Sequence, residues 1–200
     1  SNKDRSKTQS KGRRSDPPAF VFLPARLVFM VRILVLTGAS GGGKTTLLRG
    51  LAQMALEGVL CVECDTVYAS LPPELLEDPE AAQDALLDYG LRTAHANPTA
   101  RVAVLATQIR PHRAIALLER EAIAMREVVL VECEQSVREA RLRGLRQQPE
   151  LANPRMECWA AYLRGQADAL GLPIIDTSAD SLADSAARVR QMITALLERN

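Results

Sequence analysis

The chain has 200 residues, of which 47% are hydrophobic and 24% are charged, and its formal net charge is +1. A chain of this length folds by default as one domain, and this apolar fraction is sufficient to bury a core. The balanced charge excludes a disordered acidic or basic polymer, and an aromatic content of 4% argues against stacking of nucleic acid bases on aromatic side chains.

The positive charge is concentrated at the amino end. Residues 1–29 carry seven Lys or Arg and two Asp, whereas residues 30–200 carry 18 basic and 22 acidic side chains. We predict that residues 1–29 are a basic, disordered extension and that Met30 is a candidate natural start. The sequence shows no signal peptide and no uninterrupted run long enough to span a membrane, so we expect a cytoplasmic protein without a membrane partner.

Apolar runs alternate with amphipathic stretches along the rest of the chain. In order, the pattern predicts a strand at 31–37, a helix at 44–57, a strand at 59–64, short helices across 66–100, a strand at 102–106, a helix at 111–125, a strand at 127–133, helices at 136–146 and 155–170, a strand at 173–176 and a helix at 181–199. This alternation predicts an α/β fold with a central parallel sheet of about five strands and helices on both faces. Ligands bind such sheets at the carboxyl ends of the strands.

A glycine-rich loop follows the first predicted strand and fits the phosphate-loop pattern G-x-x-x-x-G-K-[ST]. Its glycines let successive backbone N–H groups face one anion. Lys44, the one lysine of residues 30–200, reaches the β- and γ-phosphates, and the Thr45 hydroxyl is placed to ligate Mg²⁺. The residues predicted to hold the nucleotide phosphates are Gly38, Ala39, Ser40, Gly41, Gly42, Gly43, Lys44, Thr45 and Thr46.

Polar side chains end the second and third predicted strands. Glu63 and Asp65 are two residues apart, so on a strand they share a face. One carboxylate could orient Mg²⁺, and the other, Asp65, could accept the proton of an attacking hydroxyl. Gln108 and Arg110 suit a polar or anionic phosphate acceptor. Paired carboxylates of this kind can also be plain solvated residues at the end of a strand.

An arginine-rich helix follows the fourth predicted strand and leads into a proline-bounded polar segment, residues 144–158, of a length typical of a lid. Phosphoryl transfer needs mobile cations that close over the phosphates and exclude water. Arg141 and Arg146 are the better candidates for this catalytic role, whereas we expect Arg138 and Arg143 to face water or to stack on the lid.

From these features, residues 31–198 resemble the small P-loop kinases of the gluconate, shikimate and adenylate kinase type. The resemblance rests on the loop GASGGGKTT, the acidic end of the second strand and the entry to the lid at Arg141 and Arg146. It implies a three-layer P-loop NTPase fold over residues 30–200, a helical acceptor-binding region at 66–100, ATP and Mg²⁺ as cofactors, and a small-molecule acceptor. In these kinases the loop after the last strand holds adenine, which carries over to Thr177 and Ser178, and the acid after the second strand binds magnesium or the acceptor, which carries over to Glu63 and Asp65.

Two other functions remain open at this point. In an ATP-hydrolysing, AAA-like regulatory protein, Glu132 or Glu134 would position the water, although Cys133 separates the two acids. A nucleic-acid 5′-hydroxyl kinase is disfavoured by the net charge of −4 on residues 30–200, since backbone binding depends on clustered Lys and Arg. The acceptor signatures of gluconate and shikimate kinases are absent, so the sequence leaves the acceptor undefined.

The basic extension generates the first testable prediction. A chain shortened to begin at Met30 should match the full chain in melting temperature and turnover, because residues 1–18 have a disordered composition and Met30 directly precedes the first predicted strand. Thermal unfolding and activity of both chains measure this. A large loss of stability would show instead that the apolar residues between Ala19 and Phe29 pack into the core.

Overall fold

The first strand shows why this sequence forms a sheet that is buried on both faces. Ile33 and Val35 belong to one apolar core, whereas Leu34 and Leu36 belong to a second core on the opposite face, and all four side chains are fully buried. Successive side chains of a strand point to opposite faces, so a continuous apolar run requires cover on both sides. The computed structural model describes residues 31–199, and the predicted extension at 1–29 lies outside the described residues.

Five strands and seven α-helices alternate along the chain. The strands are β1 (Arg32–Thr37), β2 (Val59–Glu63), β3 (Val102–Ala106), β4 (Arg126–Glu132) and β5 (Ile174–Asp176). The α-helices are α1 (Lys44–Gln53), α2 (Pro73–Glu77), α3 (Pro79–Ala96), α4 (Pro111–Arg120), α5 (Gln135–Arg143), α6 (Pro154–Ala169) and α7 (Leu182–Glu198). Two 3₁₀ helices span Cys64–Ser70 and Pro149–Leu151.

All strands of the sheet are parallel, and their order is β2-β3-β1-β4-β5. The predicted five-strand parallel sheet with helices on both faces is therefore confirmed. β1 lies at the centre, where Leu36 pairs with Ala106 of β3 on one side and with Val129 of β4 on the other. The loop that leaves β1 thus emerges between the ends of β3 and β4, at the carboxyl edge of the sheet.

The helices form two layers around this sheet. α1 and α7 cover one face through Leu47, Leu51, Val189 and Ile193, all of them buried. α3 and α4 cover part of the other face, and α6 completes that layer beside β4 through a small cluster of Leu163, Ala167, Leu130 and Ala39. Because Ala39 belongs to the phosphate loop, α6 packs directly against that loop. Among residues 31–199, no helix combines the length and apolar character needed to cross a membrane.

Several boundaries differ from the sequence-based expectation. α1 ends at Gln53 rather than near residue 57, and α4 ends at Arg120 rather than near residue 125. In both cases a non-glycine residue with positive φ follows the helix, Ala55 at 47° and Ala122 at 54°, and turns the chain toward the next strand. The helices predicted in region 66–100 are confirmed: α2 is short, and α3, with 18 residues, coincides with the segment that has the clearest helical pattern.

A glycine inside α3 generates a stability prediction. A Cβ added to Gly90 would lie 2.6 Å from the Cys64 sulfur and 3.2 Å from a Leu105 methyl carbon, whereas one added to Gly165 of α6 meets nothing within 4 Å. Gly90→Ala should therefore lower the free energy of unfolding by about 1–2 kcal/mol, because overpacking outweighs the gain in helix propensity.

Gly165→Ala is the matched control and should be neutral or stabilising by up to about 1 kcal/mol. Urea unfolding of the three proteins in one buffer measures both effects. A Gly90→Ala protein as stable as Gly165→Ala would contradict the close packing of α3 on β3 and the 3₁₀ helix.

Candidate active site

The phosphate loop needs glycine where it crosses the end of β4. Gly38 has φ 149°, and a Cβ at this position would overlap the carbonyl oxygen of Val131. Gly43, the residue before α1, has φ 101°, and a Cβ there would lie 3.1 Å from the Thr177 hydroxyl oxygen. The loop therefore passes in close contact with the end of β4 and with the loop after β5, and it leads into the start of α1, where helix N-terminal N–H groups favour an anion.

Lys44 begins α1, and its side chain turns back under the loop. Its Nζ donates to the carbonyl oxygens of Gly38 at 2.7 Å and Ala39 at 3.1 Å, and the residue is 6% exposed. Burial lowers the pKa of the Lys44 ammonium to about 8, against the opposing fields of Asp65 and Glu63. Burial destabilises the charged form of Lys44, and a bound phosphate would stabilise it by supplying negative charge, so this ammonium is suited to binding an anion.

Thr45 and Glu63 bring α1 and β2 together. The Thr45 hydroxyl donates to Glu63 Oε1 at 2.6 Å, and Arg49, one turn further along α1, donates to Glu63 Oε2 at 3.3 Å. A hydroxyl beside a carboxylate is a set of hard oxygen ligands of the kind that Mg²⁺ prefers. The residues present therefore fit a magnesium ion between Thr45 and Glu63.

Asp65 does not share a strand face with Glu63, and that prediction is wrong. β2 ends at Glu63, and Asp65 lies in the 3₁₀ helix that follows. Asp65 Oδ1 accepts from the Thr107 hydroxyl at 2.9 Å and from the Gln108 backbone N–H at 3.3 Å. The two carboxylates thus separate, with Glu63 beside α1 and Asp65 beside the end of β3.

Gln108 connects this second carboxylate to the phosphate loop. Its side-chain amide donates to the Ser40 hydroxyl at 3.0 Å, so the end of β3 is tied to the start of the loop. Arg110 lies further out, where its guanidinium stands over the Trp159 ring at 5.3 Å from the centroid. The predicted acceptor residues Asp65, Gln108 and Arg110 therefore follow β2 and β3 at the carboxyl edge of the sheet.

Arg141 binds the phosphate loop and the loop that follows β5. Its guanidinium donates to the Thr177 hydroxyl at 2.7 Å, to the Thr177 carbonyl at 2.8 Å and to the Gly41 carbonyl at 3.3 Å. Thr177 in turn donates to the Gly42 carbonyl at 2.9 Å. These bonds join α5, the phosphate loop and the loop after β5. Ser178, in contrast, accepts from the Glu134 backbone N–H at 2.5 Å and does not line the neighbouring cavity.

A cavity of about 520 Å³ opens beside the loop. Arg146 lines it as an exposed cation, close enough that its field lowers the pKa of Lys44. The sequence-based interpretation did not assign six further lining residues to the site: Leu47, Arg49, Leu145, Asp180, Leu182 and Ser185. One signal could have indicated two of them, since Leu145 and Leu182 are apolar residues placed among polar neighbours, and Leu145 is 90% exposed.

Arg138 does not face water, contrary to the prediction. It is 4% exposed, pairs through Nη1 with Glu157 of α6 and donates through Nη2 to the Cys133 carbonyl at 2.7 Å. A Cβ added to Gly41 would lie 2.8 Å from the Arg138 Cγ. Arg138 therefore packs directly against the phosphate loop. Arg143 donates to the Ala152 carbonyl at 3.3 Å and is exposed.

Comparison with known proteins agrees with this geometry. No family model and no curated protein matches the chain. Solved structures do: a shikimate kinase from Acinetobacter baumannii in complex with shikimate has a TM-score of 0.55 at 17% identity, and covers 88% of this chain and 100% of its own. The chain has the fold of the small P-loop kinases.

Two further structures show the same fold. A gluconokinase from Sinorhizobium meliloti has a TM-score of 0.53 at 19% identity and covers 85% of this chain and 95% of its own. The tunicamycin resistance protein of Deinococcus radiodurans has a TM-score of 0.60 at 20% identity and covers 82% of this chain and 95% of its own. The P-loop kinase fold predicted from the sequence is therefore shown over most of the chain.

The buried ammonium generates a pH prediction. Because the pKa of Lys44 is about 8 in the folded protein and ordinarily 10.5, the unfolded chain binds more protons between these values. The free energy of unfolding of the nucleotide-free protein should therefore rise from pH 8 to pH 10.5, by roughly 1–3 kcal/mol relative to a Lys44→Met variant.

Urea unfolding at four pH values between 7 and 10.5 measures this difference. The methionine variant keeps the unbranched side chain, one atom shorter, and lacks the titrating group, so the contributions of other residues cancel. Parallel stability curves for the two proteins would show that Lys44 is not buried as described.

Proposed function

We propose that this protein is an ATP-dependent phosphotransferase that moves the γ-phosphate of ATP to a small metabolite. The observation that carries the proposal is that two carboxylates at the end of β2, Glu63 and Asp65, have different partners. Glu63 accepts from Thr45 on the side of the 520 Å³ cavity, and Asp65 accepts from Thr107 at the end of β3. A kinase needs these two functions side by side, one for the metal-bound nucleotide and one for the acceptor.

On the nucleotide side, each group has a distinct task. The loop N–H groups and Lys44 bind the phosphates, and Arg141 fixes the loop against Thr177. Thr45 and Glu63 would hold Mg²⁺, which when bound neutralises charge on the phosphate oxygens. Arg146 is exposed at the cavity and lies in the predicted lid segment 144–158, so it is suited to closing over the phosphates and excluding water.

On the acceptor side, Asp65 is the group that would take the proton of the attacking hydroxyl. Its Oδ1 is held by Thr107 and by the Gln108 backbone, and no other residue described donates to Oδ2. One carboxylate oxygen is thus committed to orientation and the other is available for proton transfer. Gln108, bound to Ser40, places this carboxylate relative to the loop.

The alternative of an ATP-hydrolysing regulatory protein requires a water-positioning acid at the end of β4. Glu132 is paired there with Arg164, and Glu134 is exposed, with its backbone N–H bound to Ser178. Neither residue lines the cavity beside the loop. A nucleic-acid kinase is disfavoured by the acidic balance of residues 30–200.

An acceptor screen tests the proposal directly. ADP formation is followed with MgATP and a panel of small hydroxyl and phosphate compounds, beginning with shikimate and gluconate, on which the similar structures are named to act or to bind. The proposal predicts turnover that depends on an acceptor and exceeds hydrolysis without one. Equal ADP formation with and without every acceptor would favour the hydrolase.

Asp65 generates the prediction that separates the two reactions. Asp65→Asn preserves an acceptor oxygen for both Thr107 and Gln108 and removes the charge, so the fold should be retained. Transfer should fall by about 10²–10⁴, the usual range for the loss of a general base, while nucleotide affinity changes only modestly.

Glu134→Gln is the matched control, since it removes one carboxylate from the end of β4. If the protein is a kinase, Glu134→Gln should lower turnover only slightly, whereas in a hydrolase that uses Glu134 it should lower turnover severely. Full transfer activity in Asp65→Asn would refute the assignment of the acceptor site.

A further inference from the structure

A buried ion pair lies against the phosphate loop and takes no part in the proposed transfer. Arg138 of α5 is 4% exposed, and it pairs through Nη1 with Glu157 of α6. Its Nη2 donates to the Cys133 carbonyl at 2.7 Å, and its Cγ lies 2.8 Å from where a Cβ on Gly41 would be. The cation of the pair is therefore in contact with the loop, whereas its anion belongs to α6.

Stability alone does not account for this pair. Arg138 Nε and Glu157 Oε1 are buried, and neither has a hydrogen-bond partner among residues 31–199. A buried ion pair stabilises a fold only when its remaining N–H groups and oxygens are hydrogen-bonded, and apolar side chains of similar volume often do as well. A pair that is only partly satisfied therefore points to a role other than packing.

The charge of Arg138 acts on the base of the loop. The thiol of Cys133, whose carbonyl Arg138 binds, donates to the Gly41 carbonyl at 3.5 Å. Burial raises the pKa of the Cys133 thiol, and the field of Arg138 is the largest of the charges that oppose this rise. Arg138 therefore adds positive potential around Gly41, a residue that lines the cavity beside the loop.

The other cations at the loop are not neutralised in the same way. Lys44 and Arg141 bind backbone carbonyls, and Arg146 is exposed at the cavity. Within residues 31–199, none of these three forms an ion pair with a carboxylate, whereas the charge of Arg138 is offset by Glu157. Loss of the Glu157 charge would thus leave a further uncompensated cation at the loop.

We propose that Arg138 and Glu157 set the phosphate affinity of the loop, with Arg138 strengthening it and Glu157 limiting it. Both are positioning residues in this role, since they act through the loop and its electrostatic potential and touch no substrate. The inference rests on the proposed function, in which the loop binds nucleotide phosphates. A kinase must release ADP after each transfer, so a carboxylate that moderates the attraction for the remaining phosphates favours turnover.

Glu157→Gln tests the inference, because the amide oxygen can still accept from Arg138 Nη1 while the negative charge is lost. Binding of MgADP to the full chain is measured by calorimetry at constant ionic strength, at a temperature where every variant is folded. We expect Glu157→Gln to bind MgADP about three- to tenfold more tightly, the scale of one unit charge acting through a partly solvated protein, and to melt at a lower temperature. A pair with a merely structural role would instead lose stability and affinity together.

Arg138→Met removes the cation and should weaken MgADP binding by about tenfold, since it also leaves the Glu157 carboxylate unpaired. Glu127→Gln is the matched control, because Glu127 pairs with Arg199 at the amino end of β4 and is 24% exposed in its side chain, close to the 19% of Glu157. This control should bind MgADP with the affinity of the unaltered protein.

A double variant keeps the test open if a single variant does not fold. Arg138→Met with Glu157→Leu replaces the pair by apolar side chains, which a buried position accepts. It should bind MgADP several-fold more weakly than the unaltered protein, because the cation that is lost contacts the loop and the anion does not.

Three results would overturn the inference: MgADP affinity in Glu157→Gln that is equal to or weaker than in the unaltered protein, unchanged affinity in Arg138→Met, or unchanged affinity in the double variant. None of these measurements requires phosphoryl transfer. Failure of the proposed function is seen separately, as MgADP binding without acceptor-dependent ADP formation. Absence of MgADP binding by the unaltered protein would refute the phosphate site, and this inference with it.

Discussion

The contact between Gly38 and the end of β4 constrains the whole site. Because the phosphate loop passes against the Val131 carbonyl, any side chain at Gly38 would displace the loop from the end of β4. Lys44 follows the loop at the start of α1, where it binds the Gly38 and Ala39 carbonyls and is almost fully buried. The close backbone approach and the buried cation thus meet in one loop, and both are components of phosphate binding.

The arginines around this loop divide into fixed and available cations. Arg138 and Arg141 are bound to carbonyl groups and, in the case of Arg138, to Glu157, so they hold α5, α6 and the loop together. Arg146 is exposed at the cavity, and Arg110 meets acceptors among the described residues through Nη1 alone. Such a division suits phosphoryl transfer, which needs a rigid cradle together with charges that engage only when the ligands are present.

Local signals predicted the parts of the site that lie on continuous sequence. The phosphate loop is one such part, since strand, glycines, lysine and helix follow each other within a few residues. The pairing of Glu63 with Asp65 was predicted incorrectly, because β2 ends one residue early and Cys64 begins a 3₁₀ helix that turns Asp65 toward Thr107. Arg138 was likewise misassigned, since its burial depends on Glu157, nineteen residues away in the chain.

The sequence by itself determined the α/β class, the five strands and the phosphate loop, because each depends on local periodicity or on a short motif. Only the tertiary structure decided the strand order, which places β1 between β3 and β4, and the assembly of Asp65, Gln108, Arg110 and Trp159 at one edge. These residues lie on separate elements, and their approach depends on how α3, α4 and α6 pack over the sheet. Packing over such sequence distances leaves no periodic signal in the chain, so no motif could have indicated it.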